Sequence, residues 1–319
     1  PLIMGILNAT PDSFYAGSRQ QDEAAVVRRI ETILNEGGTL IDVGGYSSRP
    51  DADDVSEADE WARLEPVLRR LMRDYPDVPV SVDTFRSAIA RRAVEEYGAA
   101  MINDISGGSL DEQMYATVAT LGVPYVLMHM RGTPRTMQQF TDYDDVVEAV
   151  MMYFASELRT LRRLGVADIL LDPGFGFAKT LEQNYTLMRA LSEFADRFEE
   201  PLLIGISRKS MIYRLLGGTQ NPVGQLARPQ CPGQRQTANH QHQVGQGDVG
   251  FLGIFRQAGD HDLDMPAQDL AKPLRQARHL GEGRRQRTTG VDLCVPMLAR
   301  QVEGGRQGPT LLSRQSGVE

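Results

Sequence analysis

The chain has 319 residues, 41% of them hydrophobic, and a formal net charge of -8 at pH 7. That supports one large folded unit or two ordinary domains, and the acidic balance argues against general nucleic-acid binding while leaving room for anions held by a few local cations. Its two cysteines, Cys231 and Cys294, form neither a disulfide framework nor a Cys-x-x-Cys pair; with no apolar run near the roughly 18 residues of a membrane span and no basic leader in Pro1-Leu2-Ile3-Met4-Gly5, a cytoplasmic protein is expected.

Short apolar runs at 2–7, 40–43, 78–82, 101–102, 125–128, 169–171 and 202–206 are predicted strands, each too short for a buried helix. Between them, 22–36, 57–74, 87–97, 111–121, 143–164 and 180–194 carry apolar residues at helical spacing. Gly37, Gly98, Gly122 and Gly165 follow four of these stretches, supplying the left-handed backbone that closes a helix. Regular βα alternation predicts an α/β protein with a parallel sheet, and seven units in a row favour a (β/α)8 TIM barrel over an open sheet. The barrel is assigned to residues 1–219, with its eighth unit missing or degenerate.

Residues 220–319 read differently. Twelve basic residues face nine acidic ones there, glutamine is frequent, four of the five histidines occur, and no period is sustained. The expectation is an atypical, low-complexity-like tail, such as a shifted reading frame or a disordered segment would leave. Two apolar patches, 249–255 and 291–298, are candidates for an eighth strand.

In a (β/α) barrel the site forms where strands end, so the residues following each run matter most. They are Asn8 to Phe14 (Asn-Ala-Thr-Pro-Asp-Ser-Phe), Gly44 to Pro50 (Gly-Gly-Tyr-Ser-Ser-Arg-Pro), Asp83-Thr84, Asn103-Asp104, Met128 to Pro134 (Met-His-Met-Arg-Gly-Thr-Pro), Asp172 to Phe177 (Asp-Pro-Gly-Phe-Gly-Phe) and Ser207 to Ser210 (Ser-Arg-Lys-Ser). Each Asp or Asn alone reads as a helix cap or turn former; together they place carboxylates, a carboxamide and an ammonium beside aromatic and methionine surfaces. Such a set suits a flat heterocycle with adjoining donors and acceptors, of which a pterin is one, while Arg49 and Arg208 suit an anion. Asp42, inside a strand, is as consistent with a structural role as with a catalytic one. His129 has no obvious partner in the sequence, which argues against its acting as a general base. The pairs Arg28-Arg29 and Arg69-Arg70 are expected on solvated helix faces.

These strings, in this order over about 219 residues, resemble the signatures of the dihydropteroate synthases, the second differing from the usual Glu-Ser-Thr-Arg-Pro. The resemblance implies a transferase of folate biosynthesis, a sulfonamide target. It would condense 6-hydroxymethyl-7,8-dihydropterin diphosphate with 4-aminobenzoate to give 7,8-dihydropteroate and diphosphate. It implies that Asp83, Asn103, Asp172 and Lys209 bind the pterin ring, with Met128 and Phe177 packed against it, and that Asn8 coordinates Mg2+ on the diphosphate. It further implies that Phe14, Ser48, Arg49 and Pro50 lie on loops closing over the second substrate, that Ser210 faces its carboxylate, and that the enzyme is a homodimer. An eighth strand with an Arg-x-His motif completes the family pattern; here Asp260-His261 and Arg278-His279 have the wrong spacing. Two alternatives are an inactive pterin-binding relative and the pterin-binding methyltransferase domain of corrinoid-dependent enzymes; the second lacks the Ser-Arg-Lys-Ser string and the long first loop.

Overall fold

The structure, a computed structural model, describes residues 2–9, 19–47, 54–206, 211 and 250–255. Seven parallel strands follow one another around a barrel: β1 (Leu2–Asn8), β2 (Leu40–Gly44), β3 (Val80–Asp83), β4 (Met101–Asp104), β5 (Tyr125–Met128), β6 (Ile169–Asp172) and β7 (Leu202–Ile204). The helices between them are α1 (Arg19–Asn35), α2 (Glu57–Asp74), α3 (Ser87–Tyr97), α4 (Met114–Leu121), α5 (Val146–Arg163), and the consecutive α6 (Leu181–Arg189) and α7 (Leu191–Arg197). The stretch predicted as one helix over 180–194 is thus two, divided at Ala190.

Local chemistry explains the boundaries. Ser56 caps α2 by accepting from the Asp59 amide, and Asp145 caps α5 by accepting from Val147 and Glu148. Gly98 ends α3 at φ 66, a conformation costly for a side chain bearing a Cβ. On α5, Val146, Val150, Phe154, Leu158 and Leu161 recur at helical spacing and are buried against the sheet. Fully burying a side chain such as Phe154 contributes on the order of 2–3 kcal/mol.

The barrel closes through β8 (Gly250–Phe255), which lies in the position of the missing eighth strand but runs antiparallel to both neighbours. It pairs with Leu2 to Ile6 of β1 and with Leu202 to Ile204 of β7, so neither flank is left as an open edge there. The eighth unit is therefore degenerate: one of the two apolar patches of the tail supplies the strand, in reversed direction, and the other lies outside the described residues.

Alternation along the strands sorts the side chains into two cores. Leu7, Ile41, Val43, Val82, Ile102, Leu127 and Leu171 face outward into the helix layer. Met4, Leu40, Met101, Val126, Leu170 and Leu203 form a separate apolar layer, the filling of the barrel interior. Arg29, expected on a solvated face, instead donates from Nε to the Ile6 carbonyl at 3.1 Å and ties α1 to β1. No described helix is long and apolar enough to cross a membrane.

Candidate functional site

Because side chains alternate, the residue two positions beyond each member of the interior layer also points inward, nearer the rim where the parallel strands end. From Leu40, Met101, Val126 and Leu170 this step leads to Asp42, Asn103, Met128 and Asp172. Strand register adds Ser81 opposite Asp42, and Asp83 opposite both Gly44 and Asn103. Met128 stands opposite Asp172. Asp83, Asn103, Met128 and Asp172 thus come from four successive strands and line one mouth. Asn8 ends β1 on the same rim, exposed and in register with Gly44.

Asp104, the neighbour of Asn103, has the opposite parity and a different occupation. It accepts from Tyr125 Oη at 2.7 Å, from the Ser106 amide at 2.8 Å and hydroxyl at 2.7 Å, and from the Gly108 amide at 2.8 Å. Its task is to shape the turn after β4. Asp172 combines both kinds of role: its side chain points inward, and its Oδ1 accepts from the Gly174 amide at 2.7 Å.

The interior acids are electrostatically costly. Burial pushes Asp42 up to about 6, against the opposing influence of the Ser81 hydroxyl and the Asn103 amide. Burial, followed by the charges of Asp42, Glu60 and Asp104, raises Asp83 well above the ordinary carboxylate range. Asp42 titrates near 3.8 in an exposed setting and about 6 here, so between those values the folded state holds the extra proton and stability falls as pH rises through that window. Asp42→Asn is therefore expected to raise the melting temperature at pH 8, by a stabilisation of at most about 3 kcal/mol that vanishes toward pH 4. Melting curves at the two pH values check this; an unchanged or lower melting point at pH 8 would contradict it.

The apolar side of the mouth is built by Met128, Ile105, Met130, Met137 and Ala178, with Phe85 and Phe177 packed against them. Phe177 sits in the turn after β6, and that turn is held by a residue the sequence reading passed over. Lys179, 4% exposed, donates from Nζ to the carbonyls of Phe177 at 2.9 Å, Gly174 at 3.0 Å and His129 at 3.3 Å, and meets His129 Nδ1 at 3.0 Å. The same turn has Ala178 at φ 48 and Gly174 at φ 69, where a Cβ would collide with the His129 carbonyl. His129 thus has a partner after all. Burial and the adjacent Lys179 and Arg131 charges push its pKa down to about 2, so it is a neutral acceptor for Lys179 rather than a proton carrier near pH 7.

A second buried network lies beside Asp83. Glu60, fully buried on α2, accepts from Thr84 Oγ1 at 2.7 Å and pairs with Arg86. Arg86 also donates to the Val55 carbonyl at 2.5 Å and covers the Phe85 ring at 4.9 Å. Glu60 and Arg86 lie in charged surroundings in the sequence, where nothing separates a buried pair from surface charge. Phe14, Ser48, Arg49, Pro50, Arg208, Lys209 and Ser210 lie outside the described residues.

No group of three or more His, Cys, Asp or Glu side chains among the described residues could hold a metal by itself. A hard cation such as Mg2+ keeps several waters and shares its shell with substrate phosphate oxygens, so a single carboxamide at the rim, as Asn8 provides, fits that mode of binding.

Comparison with known proteins gives concordant results. The "Pterin binding enzyme" family matches residues 4–244. A dihydropteroate synthase of Synechocystis is 43% identical over 216 residues, covering 67% of this chain and 74% of the relative. The crystal structure of a Clostridium difficile dihydropteroate synthase in the presence of pteroic acid superposes with a TM-score of 0.62 at 33% identity, over 68% of this chain and 80% of that one. The Thermus thermophilus dihydropteroate synthase in complex with 4-aminobenzoate superposes with a TM-score of 0.59 at 39% identity, over 67% and 76%.

Proposed function

Given that the chain belongs to the pterin-binding enzymes, and among them to the dihydropteroate synthases, we propose that its barrel mouth joins a dihydropterin to 4-aminobenzoate. The substrate would be 6-hydroxymethyl-7,8-dihydropterin diphosphate and the products 7,8-dihydropteroate and diphosphate. The observation that carries this reading is the arrival of Asp83, Asn103, Met128 and Asp172, from four adjacent strands, on one interior surface.

A carboxylate presents two acceptors side by side, which is the complement of the amino group and neighbouring ring N–H of a pterin. Asp172, its plane fixed by the Gly174 amide, is assigned to that edge. Met128 and Phe177 supply the flat apolar wall. Lys209 is assigned to the ring, Arg208 to the anion, Ser210 to the aminobenzoate carboxylate, and Phe14, Ser48, Arg49 and Pro50 to the enclosure of the second substrate; these assignments rest on the sequence motifs.

In the proposed order the C–O bond to diphosphate breaks first and the bonding pair leaves with the diphosphate. The resulting pterin-methylene cation is then captured by the arylamine nitrogen, which forms the new C–N bond and sheds a proton. Asp42 places negative charge near that cation, and Asp83, whose carboxyl burial pushes well above the ordinary range, adds oxygen acceptors beside it, so no protein nucleophile is needed. Asn8 would hold Mg2+ together with phosphate oxygens and water; when bound, the ion neutralises charge on the leaving diphosphate. Exclusion of water matters because water competes with the amine for the cation. The proposal extends to a homodimer in the cytoplasm, as the family resemblance implies, which light scattering tests for the dimer.

Isothermal calorimetry with 6-hydroxymethyl-7,8-dihydropterin should show saturable one-site binding. A parallel assay should show dihydropteroate formed only when both substrates are present. Absence of pterin binding by the folded protein would remove the reading altogether.

A further inference from the structure

Resting on the pterin reading above, we propose that Asp42 is a positioning residue that locks the Asn103 carboxamide and thereby selects the dihydro form of the ring over the oxidised form. Asp42 is 3% exposed and sits on β2 within the barrel interior, two residues before the rim. Asn103 Nδ2 donates to Asp42 Oδ2 at 3.0 Å. An ionised carboxylate has acceptors only, so the nitrogen end of the amide must face it and the oxygen end must face away. Rotating the amide by half a turn would set Oδ1 against a buried carboxylate and strand both groups.

The second oxygen of Asp42 strengthens the lock. Across the register from Asp42 stands Ser81, whose hydroxyl is the one other donor that favours its charged form, so both carboxylate oxygens act as acceptors and neither has a donor to offer a flipped amide. Burial raises the Asp42 pKa to about 6, which leaves the group mostly ionised at neutral pH. Asn103 Oδ1 accepts from no described side chain, and with its nitrogen engaged the residue meets a ligand first as an acceptor.

Ring chemistry then decides what fits. With one amino hydrogen and the adjacent N–H of the pterin assigned to a carboxylate, two donors are left for another acceptor: the second amino hydrogen, present in both oxidation states, and the N–H that reduction places at ring position 8, to which Asn103 is assigned. In 7,8-dihydropterin that nitrogen is a donor and matches Asn103 Oδ1. In the fully oxidised ring the same nitrogen carries only a lone pair, and two acceptors confront each other. A site built to accept a ligand N–H rejects an analogue without one. An amide free to turn would relieve the conflict by offering its N–H group; the Asp42 lock forbids it.

The test compares binding of 6-hydroxymethyl-7,8-dihydropterin and 6-hydroxymethylpterin by calorimetry, anaerobically at pH 7.5, for the parent chain, Asp42→Asn and Asp42→Ala. The parent should prefer the dihydro ring by about tenfold or more, as expected for one hydrogen bond exchanged for an acceptor clash. In both variants the preference should fall below about threefold, chiefly because the oxidised ring binds more tightly. Asp42→Asn is isosteric and can accept or donate, so it unlocks Asn103 without opening a cavity. Melting curves show that the proteins compared are folded. A role confined to packing would weaken both ligands in proportion and leave the ratio unmoved, which would overturn the proposal. So would a parent that binds both rings equally, whereas a parent that binds neither would overturn the pterin reading along with it.

Discussion

Replacing Asp172 by asparagine is expected to weaken dihydropterin binding about a hundredfold while leaving the fold intact. The substitution keeps an oxygen to accept the Gly174 amide, the 2.7 Å contact that orients the side chain in the turn after β6. It puts an NH2 group where the second carboxylate oxygen stood. Two ligand donors then face one acceptor and one donor, so a charge-assisted pair of hydrogen bonds is lost and a donor clash is added. Charge-assisted contacts contribute about 1.5–3 kcal/mol each, which sets the hundredfold scale. The matching control is Asp104→Asn. That carboxylate is fully buried, accepts from Tyr125, Ser106 and Gly108, and faces away from the barrel interior. Its loss should cost on the order of 1–3 kcal/mol of stability and leave pterin affinity nearly unchanged. If Asp104→Asn abolished binding while Asp172→Asn did not, the assignment of the mouth by strand parity would be wrong.

The contrast between those acids shows what could be read in advance. Four of the seven parallel strands, β1, β3, β4 and β6, end in an Asp or Asn that alone suits a turn, and the string Asn103-Asp104 does not say which of the pair enters the barrel. Parity says it, once one inward residue is known, and Met101 and Val126 supply that anchor through the interior layer. Strand and helix positions were legible because period-2 and period-3.6 patterns are local: the predicted 57–74 and 87–97 coincide with α2 and α3. Partners far apart in sequence were not. Lys179 meets His129 across fifty residues, and Glu60 meets Arg86 across twenty-six. Each looks like an ordinary surface charge until the fold brings its partner alongside. The direction of β8 was illegible for a related reason, since an apolar run specifies burial and leaves polarity of the strand open.

That reversed strand leads to the second expected result: the diphosphate should add little to substrate affinity, less than about tenfold over the corresponding alcohol, and turnover should lie at least two orders of magnitude below that of the Synechocystis relative. The family resemblance calls for an Arg-x-His pair on the eighth strand to grip the departing diphosphate. The strand found there reads Gly-Phe-Leu-Gly-Ile-Phe and contains no cation. Because it is antiparallel, it presents its first residue, Gly250, toward the rim, in register with Ile6 and two residues short of Asn8. Two missing charge-assisted contacts, at about 1.5–3 kcal/mol each, are worth about 10²–10⁴ in leaving-group stabilisation. The strands to which pterin binding is assigned, β3 to β6, do not pair with β8, so ring affinity and turnover should part company. Calorimetry with the alcohol and the diphosphate, beside a steady-state assay, separates the two. A chimera in which residues after 219 are replaced by the matching segment of the relative should recover both the diphosphate increment and the rate. Full turnover by the unaltered chain would instead place the anion grip on cations from other strands, with Arg49 and Arg208 the first to replace by alanine.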